Sequence, residues 1–309
     1  MKTTFAQNVL AAVVLTIAFL LNGCQPTVEP VPEEEAQTSS LATAQVSAQR
    51  SGPGRATVTA HNDLQYVVEE SPSPDSLDQI DTLLAAQSTC AVFVAEKAAQ
   101  ELDVNLTGAT ATASFDQEAQ RVRVFLDLPG VDDEEVLALA NNLRQRCPIY
   151  TTLARAESVD LMPGEQFEMA AGEAEAVSAT LTEFGRANVT AQSHTFLMDS
   201  VPPLDGPNVE LNPLDLMLGG LAACGTFAID GIEQVADANV VVEGDLDPSG
   251  VRDLEGENPR IQVLRIIVQT EGDLEDVSEE VEEQIGEQCH LYQTLKGTVN
   301  ISISTQPAN

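Results

Sequence analysis

The amino-acid sequence predicts an α+β fold in which one structural unit occurs twice in tandem. Four short segments recur in the same order, and each copy carries two cysteines in phase with those of the other copy. Each copy also has the pattern of two strands, a long helix, two strands, an acidic helix and a closing strand. Together these observations predict β-sheets that pack on central helices.

The repeat itself fixes the order of the elements and reveals two insertions. The matched segments are residues 54–60 with 185–191, 90–93 with 224–227, 122–126 with 264–268, and 147–153 with 289–295. The offset between the copies grows from 131 to 134 and then to 142 residues. We therefore expect two insertions in the second copy, one near residues 202–206 and one in the loop 245–259.

The long helix of the second copy is the most informative stretch. Asn212 can cap a helix and Pro213 fits a first helical turn, so the helix should begin there. Its apolar stripe, at spacings of three and four, comprises Leu214, Met217, Leu221, Cys224 and Ala228. Gly219 and Gly220 would let another element approach closely. A thiol on this stripe is a candidate for chemistry, and a buried structural cysteine is the alternative.

The N-terminal region predicts export and a lipid anchor. The apolar run 9–21 is too short to span a bilayer and suits the core of a signal peptide, predicted at residues 1–23. The run ends in Leu-Asn-Gly followed by Cys24, which resembles a bacterial lipobox whose cysteine becomes lipidated. The alternative is an ordinary cleaved signal with a chance cysteine. Residues 24–52 are rich in Pro, Glu, Gln, Ser, Thr and Ala and predict a disordered tether. We expect a bacterial lipoprotein on the periplasmic face of the outer membrane or on the cell surface.

The charge balance excludes some partners. The chain has 14 basic and 49 acidic residues and a formal net charge of −35. Such a charge argues against nucleic acids and anionic lipid headgroups, and it favours solubility and salt tolerance. The spacing of acidic residues matches no calcium-binding loop, and we expect no metal and no other cofactor.

The cysteine motifs resemble those of the OsmC/Ohr family. The motifs are Asn212-Pro213 ahead of the helix to Cys224, Cys289 followed by Leu291-Tyr292-Gln293-Thr294-Leu295 and a strand, and Cys147-Pro148-Ile149-Tyr150 in the first copy. The resemblance covers nearly all of residues 53–305, taken as two copies. It implies a divergent first OsmC-like domain at 53–162, a linker at 163–183 and a second domain at 184–305.

Members of that family are homodimers whose central helices are sandwiched by sheets from both chains. The resemblance therefore implies an intramolecular pseudo-dimer, in which the two Cys-bearing helices pack together with antiparallel β-sheets around them. Many members reduce organic hydroperoxides with a peroxidatic cysteine on the central helix and a resolving cysteine on the later helix. By resemblance, Cys90 and Cys224 would be peroxidatic, Cys147 and Cys289 would be resolving, and each pair would lie within disulfide reach.

The family also places an Arg near the reactive sulfur and a Glu that orients this Arg. Arg55 and Arg186 occupy matched places that resemble the Gly-Arg of the Ohr branch, with a solvated strand charge as the alternative. His61 and His194 fall in the opening hairpins of the two copies and are expected on the surface.

The Glu position, ten residues before the first cysteine of each pair, is where this chain departs from the family. Leu214 and Ile80 stand there, and the nearest acids, Asp215 and Asp81, lie nine residues before the cysteine. Nine helical residues span about 13.5 Å, so neither Asp can touch the cysteine of its own helix. Each could act only through a bridge or on the other copy, and the alternative for Asp215 is a favourable position at the helix dipole.

Two functions follow from these observations. The first is a lipid-anchored thiol peroxidase of oxidative stress defence, acting on an organic hydroperoxide with an unidentified thiol reductant. The second is a non-catalytic binding or structural module of the cell envelope that two disulfides staple, since exported proteins meet oxidising conditions. Further oligomerisation of the pseudo-dimer is left open.

Overall fold

The computed structural model describes residues 42–71, 73, 76–116, 121–155, 159–164, 173–235, 237–252, 259–271 and 277–308. The predicted signal peptide, Cys24 and the first part of the predicted tether, up to residue 41, lie outside these ranges. Twelve β-strands and seven α-helices are present in the described residues. None of these helices is long and apolar enough to cross a membrane.

The two halves of the chain repeat the same order of elements. The first half contains β1 (Ala42–Gly52), β2 (Arg55–Thr59), β3 (Gln65–Glu69), α1 (Gln79–Glu101), β4 (Thr110–Asp116), β5 (Arg121–Asp127), α2 (Asp133–Arg146), α3 (Pro148–Ala154) and β6 (Val159–Pro163). The second half contains β7 (Glu173–Glu183), β8 (Arg186–Ala191), β9 (His194–Asp199), α4 (Pro213–Ala228), β10 (Asn239–Leu246), α5 (Pro248–Arg252), β11 (Ile261–Thr270), α6 (Ser278–Gln288), α7 (His290–Leu295) and β12 (Asn300–Pro307). Only α5 has no counterpart among the described residues of the first half.

Each sheet is built from both halves of the chain. One sheet has the order β12-β11-β10-β1-β2-β3, and the other has the order β6-β5-β4-β7-β8-β9. Each half therefore adds its three opening strands to the sheet of the other half. The register shift between β1 and β2 recurs between β7 and β8, as a true repeat requires. This exchange confirms the predicted α+β pseudo-dimer.

The two sheets are mainly antiparallel, as predicted, and each has one parallel pair at its edge. The pairs β5–β6 and β11–β12 are parallel. Two helices lie between the strands of each parallel pair, and such a long connection can return the chain in the same direction.

Two strands occupy residues that were predicted to belong to the tether (24–52) and the linker (163–183). Residues 42–52 form β1 and residues 173–183 form β7, so each domain starts about ten residues before the predicted boundary. The apolar face of β1 is small: Val46 and Ala48 are buried beneath α4, and polar side chains alternate with them. Such Ala- and Gln-rich alternation has weak strand propensity, and pairing with β10 on one side and β2 on the other stabilises it.

The two central helices α1 and α4 cross closely, as predicted from the small residues of α4. A Cβ atom added at Gly220 would lie 2.1 Å from Oγ1 of Thr82 on α1. At Gly219 an added Cβ would lie 1.8 Å from the hydroxyl oxygen of Tyr66 on β3. Glycine at both positions is what allows α1 and β3 of the first half to rest on α4.

Candidate functional site

Two disulfides join the cysteines in the predicted pairs. Cys90 of α1 is bonded to Cys147 with a Cα–Cα distance of 5.9 Å, and Cys224 of α4 is bonded to Cys289 with 5.3 Å. All four residues are buried. The predicted pairing of a central-helix cysteine with a later cysteine is therefore confirmed in both halves.

The second cysteine of each pair lies at a junction of two helices. Cys147 ends α2 and begins α3, and its Sγ accepts the Tyr150 N–H at 3.3 Å. Cys289 holds the same place between α6 and α7 and accepts the Tyr292 N–H at 3.4 Å. An N–H donor of this kind would stabilise a thiolate in the reduced protein, because thiolates are favoured at helix starts.

An apolar cavity of about 170 Å³ lies beside Cys90. Its lining comprises Ala42, Thr43, Ala44, Cys90, Phe93, Pro148, Val201, Pro202, Pro203, Leu204, Asn208, Asn212, Pro213, Leu214, Leu246, Pro248 and Val251. No charged side chain of the described residues is among them, and the few polar groups come from Thr43, Asn208 and Asn212. The cavity can therefore hold a small apolar molecule next to Cys90.

Both insertions of the second half meet over this cavity. The first forms a 3₁₀ turn at Pro202–Leu204, and the second contains α5. The turn and α5 contact each other, and both contribute lining residues to the cavity. The offsets in the sequence located these insertions, but only the fold shows that they cover the cysteine of the opposite half.

Arg146, directly before Cys147, is fully buried and holds α5 in place. Its Nε donates to the Val251 carbonyl at 3.0 Å, and Nη2 donates to the Arg252 carbonyl at 2.6 Å. Both terminal nitrogens also bond the carboxylate of Glu101, at 2.6 and 3.1 Å. Arg146 was not predicted as a functional residue. The signal in the sequence was an arginine beside a cysteine where the second copy has Gln288.

The acids that stand nine residues before the cysteines close capping boxes and face the opposite half. Asp215 accepts the Asn212 N–H at 2.8 Å, and its Oδ2 lies 2.5 Å from Nδ1 of His61. Nε2 of His61 donates to the Asn208 carbonyl at 3.2 Å. Burial raises the pKa of Asp215, and the Asn212 N–H and His61 oppose this shift. His61 is thus a contact between the halves, and the expectation of a surface histidine was wrong.

Asp81 repeats this arrangement with a different partner. Its Oδ2 accepts a hydrogen bond from Nε2 of Gln192 at 2.7 Å, and Gln192 occupies the hairpin position that His61 has in the first half. Burial, and next the charge of Asp78, raise the pKa of Asp81 to about 6. The two acids therefore anchor each central helix to the hairpin of the other half.

The two predicted arginines bind carboxylates of their own hairpins. Nε of Arg186 donates to Oδ1 of the buried Asp199 at 2.8 Å, and Arg55 pairs with Glu69 at 3.0 Å. Burial alone would raise the pKa of Asp199, but the hydrogen bonds from Arg186 and two backbone N–H groups hold it below its usual value. Neither arginine lines the cavity beside Cys90.

Leu214, which stands at the family's Glu position, is part of the cavity wall next to Cys90. This position thus reaches the cysteine site of the opposite half, where it supplies an apolar surface. Within the described residues, no three His, Cys, Asp or Glu side chains come together as a metal-binding group.

Comparison with known proteins identifies the family. A family model described as OsmC-like protein matches residues 72–162 and 206–304. Because the matched segments make up more than half of the chain, this protein belongs to the OsmC-like family. No curated protein matches the sequence.

Several solved structures are similar. The organic hydroperoxide resistance protein OsmC of Legionella pneumophila is 19% identical, with 44% of this chain and 99% of that chain covered and a TM-score of 0.35. The organic hydroperoxide resistance protein OhrB of Bacillus subtilis is 18% identical, with 43% and 97% covered and a TM-score of 0.33. An OsmC-like protein from Mycoplasma pneumoniae is 16% identical, with 43% and 96% covered and a TM-score of 0.34.

Proposed function

We propose that this chain is a thiol-dependent peroxidase that reduces organic hydroperoxides through its central-helix cysteines. The observation that carries the proposal is the repeated disulfide geometry, in which a cysteine within a buried central helix is bonded to a cysteine at a helix start. Membership of the OsmC-like family and the apolar cavity beside Cys90 support it.

The chemistry needs two thiols at each site. The thiolate of Cys90 or Cys224 attacks the terminal peroxide oxygen, the O–O bond breaks, and an alcohol leaves after it takes up a proton. The cysteine is then a sulfenic acid, which condenses with the thiol of Cys147 or Cys289 to form a disulfide and one water molecule. A dithiol reductant returns the protein to the thiol form by two exchange steps and becomes a disulfide itself.

The proposal includes an anchor at Cys24, for which the lipobox resemblance is the support. A lipidated cysteine would hold the peroxidase at a bacterial membrane surface. The check is metabolic labelling with an alkyne fatty acid in the native host. Labelled wild type and an unlabelled Cys24→Ser variant are expected, and labelling of both would contradict the assignment.

A second candidate is a stapled envelope module without catalysis. The observation that favours it is that no positively charged side chain of the described residues lines the cavity beside Cys90. Leu214 also stands where the family has a Glu that orients such a side chain. The N–H donors described above reach the sulfurs of Cys147 and Cys289, which are the proposed resolving cysteines. In this case the disulfides serve stability, as in many exported domains.

A peroxidase assay separates the two candidates. The protein without residues 1–24 is reduced, freed of reductant and mixed with tert-butyl hydroperoxide, and the loss of thiols is followed. The wild type should lose its thiols much faster than a Cys90→Ser/Cys224→Ser double variant, and the single variants should each lose part of the rate. Equally slow loss of thiols in the wild type and the double variant would contradict the peroxidase and leave the stapled module as the supported candidate.

A further inference from the structure

We propose that the cavity beside Cys90 selects compact, uncharged organic hydroperoxides and that Arg146 is the positioning residue that keeps its lid closed. The lid is defined as α5 (Pro248–Arg252) together with the turn Pro202–Leu204. The selection rests on the proposed peroxidase function. The closed lid rests on the contacts of Arg146 and Lys97 and does not depend on that function.

The lid limits the size and charge of what can reach Cys90. Val251 and Pro248 from α5 and Leu204 from the turn form one side of the cavity. Val251 and Leu204 are themselves buried. A cavity of about 170 Å³ suits a branched or aromatic group, and most of a long acyl chain would have to lie outside it while the lid is closed. A carboxylate inside the cavity would have no charged side chain of the described residues to pair with, and burying an unpaired charge is costly.

Arg146 supplies hydrogen-bond donors to the carbonyl groups at the end of α5. The last carbonyl groups of a short helix have no partner within the helix, and those of α5 point into the protein interior. Nε and Nη2 of Arg146 donate to the Val251 and Arg252 carbonyls, while Glu101 neutralises the guanidinium with two hydrogen bonds. The side chain of Arg146 is only 1% exposed. Arginine alone offers this planar fork of donors.

The other part of the lid has its own tether to α1. Nζ of Lys97 donates to Asp205 at 2.6 Å, directly after the turn Pro202–Leu204. Hydrogen bonding and charge from Lys97 lower the pKa of Asp205. The lid of the second half is therefore fastened at two points to helices of the first half.

Arg146 and Glu101 together form a clamp on α5, and the described part of the second half has no equivalent of it. Gln288 stands at the position of Arg146, is exposed, and bonds the side chain of Gln284. Neither insertion has a counterpart in the shorter first copy. The clamp thus exists only where there is a lid to hold, and Gln288 provides a matched control position.

The first measurement tests the clamp without reference to activity. Hydrogen exchange of the α5 amides is followed in the oxidised wild type and in the Arg146→Gln, Glu101→Gln and Gln288→Ala variants. Arg146→Gln should raise exchange in α5 by about tenfold or more, since local opening there loses its charged hydrogen bonds. Glu101→Gln, at a partly exposed site, should give a smaller rise, and Gln288→Ala none. Unchanged exchange in both clamp variants overturns the clamp.

The second measurement tests selection. For each reduced variant, kcat/KM is compared between tert-butyl hydroperoxide and the 13-hydroperoxide of linoleic acid, which is long and carries a carboxylate. The wild type should prefer the compact hydroperoxide by about tenfold or more. Arg146→Gln should narrow that ratio several-fold through a lower KM for the long hydroperoxide, with a wild-type ratio in Gln288→Ala.

The clamp on α5 and the selection of hydroperoxides can fail independently of each other. A wild type that prefers the long hydroperoxide, or a ratio that stays fixed while α5 exchange rises, overturns the selection. A wild type that reduces neither hydroperoxide overturns the proposed function and the selection together, and the exchange data still decide the clamp. If Arg146→Gln fails to fold, as judged by circular dichroism, Glu101→Gln decides both measurements.

Discussion

Substitution of Gly220 by Ala tests the crossing of the two central helices, on which the pseudo-dimer depends. The new Cβ would lie 2.1 Å from Oγ1 of Thr82 and 3.2 Å from Leu291 Cδ1. A carbon–oxygen contact needs more than 3 Å, so α1 and α4 must move apart by about 1 Å or Thr82 must rotate. Such overpacking costs about 1–3 kcal/mol, which outweighs the gain in helix propensity of about 1 kcal/mol.

The measurement is urea unfolding of the oxidised protein, followed by circular dichroism. Gly286→Ala is the matched control, because an added Cβ at Gly286 of α6 meets nothing within 4 Å. This control should gain about 0.5–1 kcal/mol from helix propensity alone. Thermal unfolding should shift in the same directions, by about 2–4 °C per kcal/mol for a chain of this size.

A double variant makes the reasoning sharper. Thr82→Ala removes the atom that blocks the new methyl group and leaves a Cβ–Cβ distance of 3.2 Å. The cost of Gly220→Ala should therefore shrink in the Thr82→Ala background, with a coupling energy of about 1 kcal/mol. If Gly220→Ala is as stabilising as Gly286→Ala, or if the two substitutions at the crossing are additive, the helices do not cross as described.

Two further substitutions probe buried carboxylates. Burial raises the pKa of Glu96 to about 7 even though its carboxylate accepts the Gly185 N–H at 2.8 Å. The folded state therefore keeps the Glu96 proton to a higher pH than the unfolded state. The stability that this proton contributes is lost as the pH rises from about 4.5 to 7. Glu96→Gln should match the wild type at pH 4 and exceed it at pH 8.5 in urea unfolding by about 1–2 kcal/mol, since solvent screening at this partly exposed site reduces the full effect of the shift. Equal pH profiles would contradict this. Arg186→Gln should destabilise the protein by about 3 kcal/mol at pH 7, since the Asp199 carboxylate stays buried with only backbone donors. This loss should fade as pH falls and Asp199 takes up a proton, whereas a loss that is the same at pH 3.5 and pH 7 would show that the pair does not set the effect.

The cysteine pairs and the central helices could be predicted from sequence because their signals are local or repeated. Asn212, Pro213 and the stripe to Cys224 follow helix-start and periodicity rules that hold without knowledge of the neighbours. The pairing of Cys90 with Cys147 and of Cys224 with Cys289 followed from two copies in phase and from the family. The insertions were visible as changes in the repeat offset.

The opening strands could not be predicted because their stability comes from partners far away in the chain. β1 pairs with β10, about 200 residues later, and β7 pairs with β4 of the first half. Alternating Ala, Gln, Ser and Thr is compatible with a disordered tether as well as with a strand. Only the sheet edge of the other half, and the helix that covers it, make the strand the favourable state.

The candidate site shows the same division at the level of single residues. The contact of His61 with Asp215 joins residues 154 positions apart. Taken alone, the local sequence predicts His61 as a turn residue and Asp215 as a residue of a helix cap. Arg146 looks like a solvated charge at a helix end until α5 supplies two carbonyl groups to bind. Arg55 and Arg186, placed near the sulfurs by resemblance, have nearer carboxylates in their own hairpins.

By itself, the sequence determined that this chain has two copies of an α+β unit, two phased cysteine pairs, one buried helix per copy and two insertions in the second copy. These are properties of short segments, which obey local rules of periodicity, capping and repetition. Only the tertiary structure decided that the halves exchange their opening strands, that both insertions cover Cys90 of the opposite half, and that Arg146 holds one of them. The reason is physical: packing and hydrogen bonding between segments more than 100 residues apart depend on how the halves fit together, and no local pattern records that fit.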